Sequence, residues 1–283
     1  MVVQFNCSRC ILDMVADLAA KSTSCDRRRW ELLQEMTGFF LAHKDSASPP
    51  ELAEHFFALA AAETGITDPF MREKDESTRI GLSILERFRS RQLDFDTRLL
   101  LAIGGNAIDY GVHPDFDLNT AEKKVLEALD MPYDRSAAAD LQQRMENAGS
   151  IFYILDNCGE AVIDRLLIEL FAGKITIGVR GGAILNDITR RELASSGLAD
   201  LPVVDTGCAA PGVLLDKVPA DFRYHLENSD LVIAKGQGNF ESLSHLFHSR
   251  PIYHLLKLKC KVVADFLGKE LDSIQIIGRN LEK

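Results

Sequence analysis

"IFYILDNCGEAVIDRLLIEL", Ile151 to Leu170, is the stretch on which the fold turns. An apolar run climbs without a break into Asp156 and Asn157. Beyond Gly159, the apolar residues of "AVIDRLLIEL" recur at three- and four-residue spacing. A short continuous apolar run closed by polar residues and followed by an amphipathic helix marks a strand buried on both faces of a parallel sheet. The rhythm repeats downstream. "KITIGVR" is a strand and "NDITRRELASSG" a helix, "LPVVDTG" a strand and "PADFRYHLENS" a helix, "DLVIAKGQG" a strand and "NFESLSHLFH" a helix, and "KCKVVADFLG" a last strand. Residues 149–283 therefore read as an α/β domain, a parallel sheet with helices on both faces.

Upstream, residues 1–148 read as a mostly helical region. "CILDMVADLAAKS" and "RRRWELLQEMTGFFLAHK" carry helical apolar spacing. Pro49 and Pro50 open a helix that closes near Gly65. "SILERFRSRQLDFDTRLLLAIGGNAIDYGV" reads as one helical stretch broken by Gly104 and Gly105, and "TAEKKVLEALDM" and "SAAADLQQRMENAG" continue the pattern. No repeat or low-complexity linker separates the halves, which predicts that they pack closely.

The chain has 283 residues and a formal charge of -10, which argues against broad binding to nucleic acid or an anionic membrane. It leaves room for a small anionic substrate held by a metal ion and a few local donors. The start, "MVVQFNCSRC", has no basic region followed by a long apolar one, and no apolar run reaches membrane-spanning length. Six cysteines are too sparse for a disulfide scaffold, so a reducing cytoplasm is the expected setting.

Each predicted strand hands over to polar residues at its carboxyl end, where open parallel sheets bind ligands. These are Asp156 and Asn157; Arg180, then Asn186 and Asp187; Asp205, Thr206 and Gly207; Lys235; and Asp265. Asp156, Asn157 and Asp187 are hard oxygen donors suited to Mg²⁺, Mn²⁺ and related ions. Each Asp could equally cap a helix; the Asn beside Asp156 favours a metal, since one cap needs one acceptor. Gly159 reads as letting the chain turn away tightly. In "KGQGN", Gly236 and Gly238 allow close backbone approach, the helix from Asn239 offers N–H groups, and Lys235 adds positive charge. Asn106 and Asp109 sit in "GGNAIDYG", whose glycines fit close packing or approach to a site. Cys7 and Cys10 form a CxxC with no second pair in sequence, and the histidines have no ligating spacing.

"GGNAIDYGV", "ILDNCGEAVIDRLLIEL", "VRGGAILNDIT" and "DLVIAKGQGNFESL" together resemble the signatures of the damage-control phosphatases, formerly domain of unknown function 89, and the CxxC resembles the archaeal and bacterial branch that carries it. The resemblance spans most of the chain. It implies a metal-dependent phosphatase on a Rossmann-like α/β fold with a helical N-terminal part. It implies a divalent ion (Mn²⁺, Co²⁺, Ni²⁺ or Mg²⁺) on Asp156, Asn157 and Asp187, with Lys235 on the phosphate and Asn106 at the same pocket. The implied substrates are small phosphorylated metabolites, including sugar phosphates and phosphopantetheine-type compounds, often damaged ones. Many members have Pro where this chain has Ala183.

The expected function is thus hydrolysis of a phosphomonoester. Asp156 and Lys235 are the candidate catalytic residues, and Asn106, Arg180, Lys235, Gly236 and Asn239 the candidate substrate contacts. A water or Asp156 itself is the nucleophile; "DNC" lacks the second Asp, two positions on, that would serve as acid/base beside a nucleophilic Asp. Two other classes stay open. A Rossmann-type cofactor-binding protein such as a methyltransferase would want a glycine-rich first turn, whereas "DNCGEAV" has a single Gly. A non-catalytic scaffold would use these acids only as helix caps.

Overall fold

The computed structural model describes residues 1–108, 118–244 and 251–279. Helices come first: α1 (Ser8–Ser22), α2 (Asp26–His43), α3 (Pro49–Thr64), α4 (Met71–Arg89), α5 (Phe95–Gly104), α6 (Leu118–Glu127) and α7 (Arg135–Asn147). Strands and helices then alternate as β1 (Ile151–Ile154), α8 (Cys158–Ile168), β2 (Ile175–Val179), α9 (Leu193–Ser196), β3 (Val203–Asp205), α10 (Ala220–Asn228), β4 (Leu231–Lys235), α11 (Gly236–Leu243), β5 (Ile252–Lys257), α12 (Lys261–Leu267) and β6 (Ile274–Arg279). Among the described residues no helix is long and apolar enough to cross a membrane.

Local chemistry sets several boundaries. Ser48 and Glu51 form a reciprocal capping box at the start of α3, Pro occupies its first positions, and Gly65 ends it at φ 74°. The long stretch before "GGNAID" is two helices, because Asp94 accepts from the Thr97 N–H and caps α5. α5 ends at Gly104, and a 3₁₀ turn over Gly105–Ala107 follows.

The sheet runs β3-β2-β1-β4-β5-β6. All neighbouring pairs are parallel except β5 with β6, which is antiparallel. The chain moves outward on one side from β1 to β3 and returns to the other side at β4, so a crevice opens at the carboxyl ends of β1 and β4. Ile154 pairs with Gly178 on one side and Ala234 on the other. Carried two residues onward, that register brings Asp156 abreast of Arg180 and of Gly236.

Both faces of the sheet are covered. Ile151 and Tyr153 join a core with Leu99 and Ile103 of α5, Leu141 and Met145 of α7, and Leu167 of α8. Phe152 and Ile154 point the other way, onto Phe222 and Leu226 of α10 and Leu243 of α11. Residues on the two sides of position 148 thus share one core. The α1–α3 helices form another, from Ile11, Leu18, Met36, Phe56 and their neighbours, and this core also takes in Ile184 from the loop after β2. The helical region therefore clamps the loop that carries Asp187.

Three expectations are corrected. "KCKVVADFLG" is helix α12, not a strand: Val262, Val263 and Ala264 are buried while Lys261, Asp265 and Phe266 are exposed, a one-sided stripe, and Gly268 closes it at φ 61°. Asp265 is therefore no strand-end residue; it pairs with Lys261 on the surface. The strands at this end are β5 and β6. The helix expected over "NDITRRELASSG" is cut to a 3₁₀ turn at Arg190–Glu192 and α9, because Asp187 is held in a bridge to Asn157.

Gly159 also has a different reason from the tight turn expected of it. It lies in the first turn of α8, where a Cβ would stand 2.6 Å from the Ser77 carbonyl oxygen and 2.8 Å from Ile108 Cγ2. The residue permits α8 to pack on α4.

Candidate functional site

The chain leaving β1 and the loop leaving β2 are tied to each other by backbone. The Ile188 N–H donates to the Asp156 carbonyl (2.9 Å), the Cys158 N–H to the Asn186 carbonyl (2.9 Å), and the Arg180 N–H to the Ile188 carbonyl (3.0 Å). This short antiparallel bridge sets Asn157 opposite Asp187. The loop turns back through Leu185, a non-glycine residue at φ 41°, and the Asp187 N–H closes the turn onto the Ile184 carbonyl (3.1 Å). Ala183 immediately precedes that turn. A left-handed Leu is strained backbone, and such strain concentrates where a loop must aim a functional side chain.

Asp156, Asn157 and Asp187 converge and are nearly buried, at 7%, 4% and 3% exposure. Arg180 lies among them, fully enclosed. Its Nη2 donates to Asp156 Oδ1 (2.8 Å), its Nε to Asp187 Oδ2 (2.6 Å) and its Nη1 to Asn239 Oδ1 (2.7 Å). Asn239 in turn donates to the Leu155 and Lys235 carbonyls (3.2 and 2.8 Å). The other oxygen of Asp156 accepts from Asn106 (3.3 Å) and Asn157 (3.1 Å). Both amides also donate to Glu160 Oε2, at 2.8 Å from Asn106 and 3.4 Å from Asn157. A carboxylate only accepts, so these contacts commit the Asn157 nitrogen and leave its carbonyl oxygen as the atom that could face a cation.

Gly236 completes the enclosure. It sits at φ 75°, and a Cβ there would fall 1.9 Å from Asp156 Oδ2. Only glycine supplies both the left-handed backbone and the space for that carboxylate.

Lys235 and Arg180 are not placed as expected. Lys235 was read as reaching the phosphate and Arg180 as a substrate contact; both side chains are fully buried and bonded to the protein. The Lys235 ammonium donates to the Ala102 carbonyl (2.9 Å), Glu160 Oε1 (2.7 Å) and Asp164 Oδ1 (2.5 Å), which uses its three N–H groups. A strand whose side chains alternate between faces sends Lys235 under the sheet end, toward α5 and α8. Lys235 is thus joined to the oxygen cluster through Glu160.

Glu160 and Asp164 were missed by sequence reading. They lie four apart on α8, whose other buried residues carry no charge, and are 0% exposed. Two carboxylates on the buried stripe of a helix were the available signal. Tyr153 donates a second bond to Asp164 Oδ1 (3.1 Å), beside that of Lys235. Asp109 lies outside the described residues. Asp205 pairs with Arg190 at the surface, and the Thr206 hydroxyl accepts from the Gly181 N–H; neither joins the cluster.

The electrostatics follow from burial. Asp156 is pushed well above the usual carboxylate range, by burial and then by the charge of Asp187, against the pull of Arg180. Burial also drives Asp164 up to about 7 despite Lys235. Burial alone would lower the Lys235 ammonium, but Asp164 and Glu160 hold it above its ordinary value.

A divalent cation fits this donor set. The oxygens are hard, and two buried carboxylates share one guanidinium, which leaves net negative charge for a cation to offset. The set includes an amide; among the described residues no three His, Cys, Asp or Glu side chains stand together as metal ligands. The 810 Å³ cavity between α7 and β6, lined by Tyr133, Arg144 and Tyr253 among others, contains none of these residues.

Comparison with known proteins agrees with the resemblance. The chain is 32% identical to a damage-control phosphatase of Pyrococcus horikoshii, with 93% of each chain covered. It is 29% identical to a damage-control phosphatase of Archaeoglobus fulgidus over 72% of this chain and 73% of that one, and 29% identical to an uncharacterized protein of Methanocaldococcus jannaschii over 96% and 94%. The crystal structure of a DUF89 family protein from Pyrococcus horikoshii superposes with a TM-score of 0.89 at 30% identity, covering 99% of this chain and all of that one. The model of the damage-control phosphatase ARMT1-like domain matches residues 3–274, and the chain belongs to that family.

Proposed function

We propose that this protein is a metal-dependent phosphatase acting on phosphomonoesters of small metabolites, such as sugar phosphates or phosphopantetheine-type compounds, including damaged ones. The observation that carries the reading is the convergence of Asp156, Asn157 and Asp187 at the crevice between β1 and β4, bracketed by Arg180. Kinship with proteins named damage-control phosphatases supports it. A glycine-rich cofactor turn does not stand after β1, which weighs against the methyltransferase class.

A divalent ion (Mn²⁺, Co²⁺, Ni²⁺ or Mg²⁺) held by Asp156, Asn157 and Asp187 would supply Lewis-acid polarisation of the phosphoryl group. Arg180 fixes both carboxylates and leaves them only partly neutralised, which keeps the site attractive to a cation. The start of α11, at Gly236, abuts Asp156, and its helix dipole favours phosphoryl oxygens there. Asp156 accepts from Arg180, Asn106 and Asn157, which lowers its nucleophilicity; water is the attacking group in this reading. Lys235 acts as a positioning residue: it holds Glu160, which holds the amides of Asn106 and Asn157.

The test is phosphate release by chelator-treated protein from p-nitrophenyl phosphate, sugar phosphates and phosphopantetheine, with each metal restored in turn. Metal-restored turnover that is lost in folded Asp187→Asn is expected. No turnover with any metal in folded protein would overturn the reading.

A further inference from the structure

Cys7 and Cys10 found no partner pair in sequence; the fold supplies one more thiol. Cys7 and Cys10 stand at the start of α1, and Cys260 immediately precedes α12. All three line one cavity of about 190 Å³, together with Met14, Gln237 and Glu241. None of the three is in a disulfide. Half the cysteines of the chain, drawn from its two ends, therefore share one pocket.

The pocket holds polar atoms that its apolar walls do not satisfy. Glu241 is only 8% exposed. Gln237 Nε2 donates to the Glu241 carboxylate (2.8 Å), while Gln237 Oε1 is buried with no hydrogen-bond partner. Three thiols gathered at one pocket offer soft donors that a cation with affinity for sulfur binds as thiolates. As the side chains are turned in this structure, no three of them form a metal-holding group. However, a χ1 change moves a cysteine Sγ by roughly 3 Å, and none of the three thiols is locked in the core.

We propose that Cys7, Cys10 and Cys260 form a thiolate site for a soft divalent cation of the zinc type, completed by a carboxylate oxygen of Glu241. It is distinct from the oxygen set at Asp156, Asn157 and Asp187. CxxC at a helix start is a ligand spacing that zinc accepts, and three thiolates with one oxygen satisfy its four-coordinate preference. Gln237, donating to Glu241, orients the fourth ligand. Such a site ties the beginnings of α1 and α12 to α11, the helix that carries Gly236 and Asn239. Its role is to hold α11 in place against the catalytic pocket.

The experiment is Co²⁺ titration of the reduced, chelator-treated full chain, followed through the intense near-ultraviolet sulfur-to-cobalt charge-transfer band. An oxygen-donor site cannot produce that band. The expected result is a stoichiometric band that Zn²⁺ abolishes by displacement. It is lost in Cys10→Ser and in Cys260→Ser, and kept in Cys25→Ser and Asp187→Asn. A second readout is alkylation mapped by mass spectrometry, with zinc slowing modification of Cys7, Cys10 and Cys260 but not of exposed Cys25. Absence of the band in folded, reduced wild type overturns the proposal, as does a band that Cys260→Ser leaves unchanged. A Cys7–Cys10 disulfide forming with no metal uptake by the reduced protein would replace the site with a redox pair.

Discussion

Replacing Gly236 by Ala separates backbone strain from damage to the site. Gly236 and Gly65 have almost the same left-handed backbone, at φ 75° and 74°. Their surroundings differ. A Cβ at Gly65 meets nothing within 4 Å, whereas one at Gly236 would stand 1.9 Å from Asp156 Oδ2 and 2.3 Å from its Cγ. Forcing an L-residue into that backbone costs about 1–2 kcal/mol at either position. At Gly236 the carboxylate or the start of α11 must also yield by about 1 Å, and a misplacement of that size costs roughly 10²-fold in rate. Gly65→Ala should therefore lose about 1–2 kcal/mol in urea unfolding and keep its metal affinity and turnover. Gly236→Ala should lose at least as much stability, bind divalent metal more weakly by calorimetry, and release phosphate about 10²-fold more slowly. If the two variants match in metal affinity and turnover, the contact between Gly236 and Asp156 is not what shapes the site.

Three further outcomes follow from the same geometry. Arg180→Met leaves the buried carboxylates of Asp156 and Asp187 without their guanidinium; unfolding in chelator should show a loss of about 3–5 kcal/mol, part of which saturating Mn²⁺ restores, and an equal loss with and without metal would contradict the bracket role. Asp164, faced by Lys235, Glu160 and Tyr153, is raised by burial from 3.8 to about 7, so folding takes up a proton in that window and its stabilising share falls as pH rises through it. The stability advantage of wild type over Asp164→Asn should therefore shrink from pH 3.8 to about 7 in urea melts, and a difference constant with pH would count against the shift. Gly159→Ala drives a methyl against the Ser77 carbonyl and Ile108, which predicts a loss of about 1–3 kcal/mol by thermal melting, whereas Gly173→Ala, with nothing within 4 Å, should show no such loss.

Much of this protein is legible in short stretches of its sequence. Ser48, Pro49, Glu51 and Gly65 mark both ends of α3, because capping and left-handed closure are settled within a turn of helix. The apolar runs of β1, β2 and β4 announce a sheet buried on both faces, and their polar exits announce where a ligand would bind. The same reading fails at "KCKVVADFLG" and passes over "IYHLLK", since a short apolar run does not say whether its neighbours will cover one side or two. That was decided by β4 and β6, which enclose β5, while α12 keeps one face in solvent. Asp156, Asn157 and Asp187 stand out locally as oxygen donors, yet what brings them together is the register of β1 with β2 and β4 and the bridge from Asn157 to Asp187. Lys235 shows the limit most plainly: its sequence context speaks of phosphate, but its three donors end on Ala102, Glu160 and Asp164. Nearby residues fix which groups can form a cap, a turn or a strand. Only chain segments distant in sequence, brought within bonding range by the packed core, determine whether a charge faces substrate or is spent inside the protein.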